Sequence, residues 1–417
     1  MRLVRRLQVI ALVALILSAG CGPSSASSGP IKVGALFPLS GPQAPLAQQE
    51  YAGVQIARDF VNAEGGVRGR QIQLIAKDLT VREDAPARVD ELQKAGVQSI
   101  IGAYSSTLSM PASEAAHARG LLYWEAGAVA DQLTGRGYSD VFRVGATGTD
   151  LGSMSSHFAG TVLAGRLGRS PAQLPMVIVH ARDGYPSSVA SAAASQAARE
   201  GFPVVATVTY DDRAPDWNRV LAQVAAAHPA ILLLSSYIVD GVAFRRAMLG
   251  AGLHVDAMLG TTMAQCVPDF GAMLGADAIG VFASDRPMGV FNSAALTGVG
   301  RAVYERFAAA YHARSGQAPT EESLAGFSAA WTLFHYVMPA SRDASASRLA
   351  DAARGLDLPA GTLPNGAGVE FSAGGSTLGQ NLRAASVIWQ WQGVRHSVVV
   401  YPPEFATGTP TLIPLPR

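Results

Sequence analysis

From Ile31 onward, short apolar stretches alternate with helix-like stretches, each pair separated by a few residues, and this rhythm restricts the fold more than any other feature of the chain. "IKVGALFP" is apolar and bounded by "LSGP". The following "YAGVQIARDFVNAEGG" spaces Val54, Ala57, Phe60 and Val61 along one helical face and stops at Gly65 and Gly66. The pattern recurs in "QIQLIAKD", "DAPARVDELQKAG" and "VQSIIGAY". A second block repeats it in "LPMVIVHA", "SSVASAAASQAAREG", "FPVVATVTY", "WNRVLAQVAAAHP", "AILLLSS" and "VAFRRAMLGAG". Strands alternating with helices at this spacing imply right-handed crossovers and parallel sheets covered on both faces. A chain of 417 residues is also too long for one ordinary core. The expectation is two doubly wound α/β lobes.

The rhythm breaks near "FRVGATGTD" (142–150) and again near "GVFASDRPMG" (280–289), after which long helices such as "AALTGVGRAVYERFAAAYHARSG" return. "ASVIWQWQGVRHSVVVYPP" reads as two strands joined by a turn at Gln392 and Gly393. The last residues, "ATGTPTLIPLPR", read as an irregular tail because of their prolines.

The N-terminal "MRLVRRLQVIALVALILSAGC" places Arg2, Arg5 and Arg6 ahead of an apolar run from Val9 to Leu17 that is too short to span a bilayer, the pattern of a secretory signal. Ser18-Ala19-Gly20-Cys21 resembles the lipobox of bacterial lipoproteins, whose cysteine is acylated and becomes the new N-terminus. The resemblance implies a signal over 1–20, lipidation of Cys21 and a flexible Gly/Ser/Pro-rich tether over 21–30. Cys266 is the only other cysteine, so the exported part holds no internal disulfide and relies on its core.

Several function classes fall away on composition and motif. A formal net charge of +1 with 15% charged residues supplies no basic field for nucleic acid. There is no G-x-S-x-G elbow, no phosphate loop, no paired-cysteine zinc motif and no H-E-x-x-H. "GVGRAV" at Gly298 lies inside an apparent helix without a preceding strand and lacks a third glycine. The 8 histidines are scattered, and none pairs with another at metal-ligand spacing on one helix face. His180 ends an apolar strand, where a histidine reads as a hydrogen-bonded structural group. An exported enzyme would need a cluster of perturbed acids or bases in the cleft, for which the sequence suggests Glu125, Asp183 and His180. No cofactor is expected.

One short stretch points to binding instead. "IIGAYSST" (100–107) runs from a buried strand straight into a tyrosine and three hydroxylated residues. A strand that stops at Gly102 and is followed by a helix leaves backbone N–H groups and hydroxyls in one crevice, which suits an anion or caps the helix.

"IKVGALFPLSGPQA", "GVQIARDFVNAEGGVRGRQIQLIAKD", "IIGAYSSTLSMPASEAAHARGLLYWEAGAVADQLTGRGYSDVFRV" and "GVEFSAGG" together resemble the substrate-binding proteins of ABC importers in the branched-chain amino-acid class. The resemblance runs from Ile31 to about Pro403. It implies a type I periplasmic binding protein: two α/β lobes joined by three crossing segments near Gly145, Ser284 and 371–378. One lobe then comprises 31–145 and 285–372, the other 146–284 and 373–403, with 404–417 as the tail. The family's carboxylate-binding positions match Ser106, with Ser105 and Thr107 beside it, and Ala128 in "EAGAVAD". Its cleft aromatics match Tyr185 in "HARDGYPSS" and Tyr237 in "SSYIVD".

Three positions depart from the family's pattern. Thr262, in "LGTTMAQC", stands where amino-acid-binding relatives carry a glutamate for the ligand's ammonium group. Val129 replaces a usual threonine, and Leu46 a tryptophan of some relatives. A neutral hydroxyl cannot pair a buried ammonium. Either the ligand lacks that group, or Glu125, Asp183 or Asp240 supplies the charge. The resemblance therefore implies a lipid-anchored receptor that captures a small carboxylate- or amide-bearing metabolite by lobe closure and delivers it to an ABC permease. A ligand-sensing subunit of the same fold is the alternative.

Overall fold

The computed structural model describes residues 29–416; the apolar leader, Cys21 and the tether as far as residue 28 lie outside the described residues. Five strands open the chain: β1 (Ile31–Phe37), β2 (Ile72–Asp78), β3 (Ser99–Gly102), β4 (Leu122–Glu125) and β5 (Val141–Arg143). They form one parallel sheet in the order β2-β1-β3-β4-β5. Five more follow: β6 (Met176–Ala181), β7 (Val204–Tyr210), β8 (Ile231–Ser235), β9 (Ala257–Thr261) and β10 (Phe282–Asp285). A minor pair, β11 (Asp357–Leu358) and β12 (Val369–Glu370), precedes β13 (Val387–Gly393) and β14 (His396–Tyr401). The second sheet has the order β14-β13-β10-β9-β8-β6-β7, parallel from β10 to β7, with β13 and β14 antiparallel.

Burial follows position in the sheet. Every residue of β3, β4, β8 and β9 is buried, as strands covered by helices on both faces must be, whereas the edge strands β2 and β7 alternate with solvent. In the first lobe the long helix Ala44–Ala63 packs on the helix Glu321–Trp331. Gly53 and Gly326 make that approach possible, because a Cβ on either would run into the backbone of Ser323 or Glu50. Trp124, Phe142 and Phe371 stack in the same core, with Phe371 5.4 Å from Trp124 and 5.1 Å from Phe142. In the second lobe the helix Gly148–Phe158 packs on Gly184–Glu200.

The segments that pass between the sheets are laced by buried side-chain amides. Arg143 at the end of β5 donates from Nε to Gln380 Oε1 (2.6 Å). Gln380 Nε2 donates to Gly145 O (3.1 Å), and Asn381 Nδ2 to Val144 O (2.9 Å). Neither Gln380 nor Asn381 stands out in the sequence.

Two expectations about the C-terminal region need adjusting. The hairpin reverses at Val394 and Arg395 rather than at Gln392 and Gly393: Gly393 still pairs with His396, and Arg395 adopts a left-handed backbone (φ 56°) to make the turn. The tail has no helix or strand among its described residues, yet it is packed. The Phe405 ring lies 5.6 Å from Phe291, and Leu415 N–H donates to Asp256 O (2.7 Å). Among the described residues no helix is long and apolar enough to cross a membrane.

Candidate ligand site in the interlobe cleft

β3 and β4 are neighbours whose last residues, Gly102 and Glu125, pair with each other, so the loops that follow leave the sheet side by side. From the facing lobe, Tyr185, Tyr237 and Thr262 follow the carboxyl ends of β6, β8 and β9. These ends meet around a narrow, nearly closed cleft lined by Tyr104, Ser105, Ser106, Ala128, Val129 and their counterparts Tyr185, Tyr237 and Thr262. That is where open parallel sheets place their ligands. Its wall carries no charged side chain.

The three adjacent hydroxyls are used in three ways. Ser105 precedes the helix Ser106–His117 with an extended backbone, but its side chain makes no capping hydrogen bond, and its buried Oγ has no partner. Ser106 Oγ accepts the Ala130 N–H (3.0 Å) and keeps its own hydrogen to donate. Thr107 Oγ1 reaches across the cleft to Asp183 Oδ2 (3.4 Å). Capping is thus not what these residues do. The helix's first N–H groups have no intrahelical acceptor and add to the donors at this end.

The neighbouring loop differs from its expected role. Glu125 Oε1 accepts the N–H groups of Ala126 (3.1 Å), Gly127 (2.8 Å) and Ala128 (2.7 Å). Ala128 lines the cavity, but its N–H is already committed to an internal carboxylate and does not await a ligand's. Burial pushes the Glu125 carboxyl up to about 7, against the lowering pull of the Ala128 N–H. Val129 lines the cavity beside it, and its carbonyl accepts the Gly148 N–H (2.6 Å).

On the second lobe, Tyr185 does not offer its hydroxyl to the cavity either. The hydroxyl is tied within its own lobe to Thr261 Oγ1 (2.7 Å), Ser236 O (3.0 Å) and Thr262 O. Tyr237 crosses the Tyr185 ring edge to face (5.4 Å, 77°), and its buried hydroxyl has no partner of hydrogen-bonding geometry. The remaining candidate acids are engaged elsewhere. Asp183 accepts the Tyr185 N–H (3.2 Å) at the start of its helix. Asp240 accepts the Tyr237 N–H (3.0 Å) and the Tyr210 hydroxyl, and burial raises it to about 6. Neither Asp183, Asp240 nor Glu125 lines the cavity, and Leu46 packs on the first-lobe core instead of reaching it.

Three lining residues escaped the sequence reading: Tyr104, Gly127 and Met263. Tyr104 and Met263 both hold left-handed backbones (φ 80° and 69°), conformations that side-chain-bearing residues rarely adopt away from functional sites. Tyr104 lies within the hydroxyl-rich stretch, but nothing in the sequence marks Met263. The enzymatic arrangement does not assemble: His180 sits against Ala181 O (2.9 Å) and Thr209 Oγ1 (3.0 Å) and contacts neither Glu125 nor Asp183. Among the described residues no group of side chains could hold a metal ion.

A family model described as periplasmic binding protein matches residues 30–388. The chain belongs to the periplasmic binding protein family. Members are solute-binding proteins that work outside the cytoplasm, not enzymes. One relative, a Leu/Ile/Val-binding protein homolog from Brucella abortus, is 30% identical over 381 residues, covering 91% of this chain and 92% of the relative. Two solved periplasmic binding proteins share the fold. The Streptococcus pneumoniae branched-chain amino-acid binding protein LivJ, in complex with isoleucine, has a TM-score of 0.69 at 18% identity and covers 89% of this chain and 100% of its own. An R. palustris solute-binding protein in complex with benzoate has a TM-score of 0.69 at 19% identity, covering 91% of this chain and 98% of its own.

Proposed function

We propose that this protein is a lipid-anchored receptor that captures a small carboxylate without an ammonium group by closure of its lobes and hands it to an ABC permease. The observation that carries the reading is the neutral cavity wall. The unpartnered Ser105 hydroxyl, the Ser106 hydroxyl, which keeps its hydrogen to donate, and a helix N-terminus supply donors for an anion. Thr262 replaces the acid an ammonium would need, and Glu125, Asp183 and Asp240 are bound into other hydrogen bonds. In this reading lobe closure is a shift between open and closed populations, and Cys21 carries the anchor. The lobes comprise 31–145 with 285–372, and 146–284 with 373–403.

A second reading, in which leucine, isoleucine or valine is the ligand, is favoured by the printed names of the relatives. A thermal-shift screen separates the two. A ligand at a hundred times its dissociation constant stabilises the native state by about 2.7 kcal/mol, a readable rise in melting temperature. A rise with keto, hydroxy or aromatic acids and none with leucine, isoleucine or valine supports the proposal; a rise with the amino acids replaces it with the second reading.

A further inference from the structure

Beside the cleft, a larger hollow of about 610 Å³, open to solvent at its mouth, lies between the lobes. Its chemistry is the opposite of the cleft's. Asp285, at the end of β10, and Glu321 and Glu322, which begin the helix Glu321–Trp331, line it while being only 0%, 8% and 3% exposed. Arg286 is the one guanidinium set among them, with Nε 2.5 Å from Glu321 Oε1 and 3.8 Å from Asp285 Oδ1, while its backbone N–H donates to the same Asp285 oxygen (2.8 Å). The fully buried Glu50 draws on the same Arg286. Asp285 Oδ2 is buried with no partner of hydrogen-bonding geometry. The second lobe contributes two indoles: Trp391 Nε1 donates to Gln265 O (2.7 Å), and Trp389 Nε1 has no partner. Val290, 54% exposed, adds an apolar lining.

We propose that this hollow is a second binding site, separate from the cleft, for a small organic cation of the alkylammonium class. Several buried carboxyls facing one guanidinium leave an excess of negative charge that either protons or a cation must balance. Indole faces attract such a cation, and an alkyl group suits the apolar lining. Because the acids of the helix Glu321–Trp331 and the indoles of β13 belong to different lobes, a bound cation bridges the two.

The site is linked to pH. Burial holds Glu322 up to about 7 and raises Asp285, Glu321 and Glu50 as well. The other groups facing them are the Cys266 thiol and the Thr262 hydroxyl beside Asp285, the Thr320 hydroxyl beside Glu322, Glu125 beside Glu50, and the Tyr104 phenol near Glu50, Glu321 and Glu322, with Asp269, Arg395 and His396 at the exposed end. An entering cation therefore displaces protons, and its binding tightens as pH rises through about 7.

The test titrates the purified protein with choline and with butylamine, using potassium chloride at equal ionic strength as control. It follows tryptophan fluorescence and the heat of binding in two buffers of different ionisation enthalpy. The expected result is saturable binding with proton release, tighter above neutrality, and roughly tenfold weaker in Glu322→Gln. Trp389→Phe, which keeps the packing of the wall, weakens it too and decides the matter if Glu322→Gln does not fold. Absence of saturable binding, a response that potassium chloride reproduces, or unchanged affinity in Trp389→Phe and in a folded Glu322→Gln overturns the proposal. The cleft reading is untouched by any of these outcomes, since no probe here is a carboxylate.

Discussion

Glu125 Oε1 accepts the backbone N–H of Ala128 at 2.7 Å, so the loop that borders the cleft is held from behind by a carboxylate of its own chain. The same oxygen takes the N–H groups of Gly127 and Ala126, so that loop turns none of these three N–H groups to the cleft, which the first lobe lines with the hydroxyls of Ser105 and Ser106.

Replacing Glu125 by alanine strands three buried donors. Each unsatisfied group costs about 1–3 kcal/mol, so Glu125→Ala is expected to unfold at clearly lower urea than the parent. Glu125→Gln keeps one acceptor oxygen and loses much less. Equal midpoints for parent and alanine variant would mean that the three N–H groups find other partners.

Stability should fall as pH rises. Glu125 and Glu322 are held up to about 7 and Asp240 to about 6, each first by burial and each above its unfolded value. An acid raised in the folded state contributes stability that is complete below the unfolded pKa and is lost as pH climbs through the folded one. Over that window each group contributes a slope of about 1.4 kcal/mol per pH unit. Acids lowered at the surface, such as Asp90 and Glu91, act in the opposite sense but are screened by solvent. Urea unfolding at stepped pH checks this, with a shallower slope expected in Glu125→Gln. A flat profile in the parent would show that these carboxyls are ionised in the fold.

The alternating rhythm of strands and helices was readable because a strand covered on both faces must be apolar throughout, as in "AILLLSS", and that leaves a local imprint. The hydroxyls after β3 were readable for a similar reason, since three of them exceed what one helix start requires. The partners that decide what those groups do lie far along the chain. Nothing near Tyr185 indicates that its hydroxyl is tied to Thr261 and Ser236, and nothing near Glu125 says which N–H groups it will meet. Gln380 and Asn381 matter only because the chain returns beside β5. The left-handed backbone of Met263 is imposed by the fold, as no glycine or asparagine announces it.

Ser106→Ala removes a hydroxyl that can donate to a bound carboxylate and also frees the Ala130 N–H. A hydrogen bond to a charged group is worth about 1.5–3 kcal/mol, so affinity for the ligand identified by screening should drop roughly ten- to a hundredfold. Calorimetry on a variant that melts near the parent's temperature measures this. Unchanged affinity would remove Ser106 from the site.

Arg143 ties the cleft loop to the crossing segment. It donates to Ala130 O (2.7 Å) and Thr134 Oγ1 (3.2 Å) as well as to Gln380. Lysine cannot reproduce a planar fork that serves several acceptors at once. Arg143→Lys is therefore expected to lose about 2 kcal/mol or more of stability and to weaken ligand binding, although the charge is kept. Parent-like stability and affinity in the lysine variant would reduce the guanidinium's role to its charge.

Gly127 forms part of the cleft floor. It is packed so tightly that an added Cβ would lie 2.7 Å from Tyr104 O and run into Glu50 Oε2, and its carbonyl accepts from Arg286 (2.7 Å). Neither neighbour can yield easily: Tyr104 is held in a left-handed backbone, and Glu50 is buried among Arg286, Glu125 and Glu322. Gly127→Ala is thus an overpacking change, expected to cost about 1–3 kcal/mol. Because the displaced loop carries Ala128 and Val129, which line the cleft, ligand affinity should fall with stability. Gly135→Ala, on the same lobe but in looser surroundings (3.2 Å from the nearest atom), serves as the comparison in thermal melts. If both variants melt alike and bind alike, the floor is soft, and the close packing of Glu50 behind it plays no part in shaping the site.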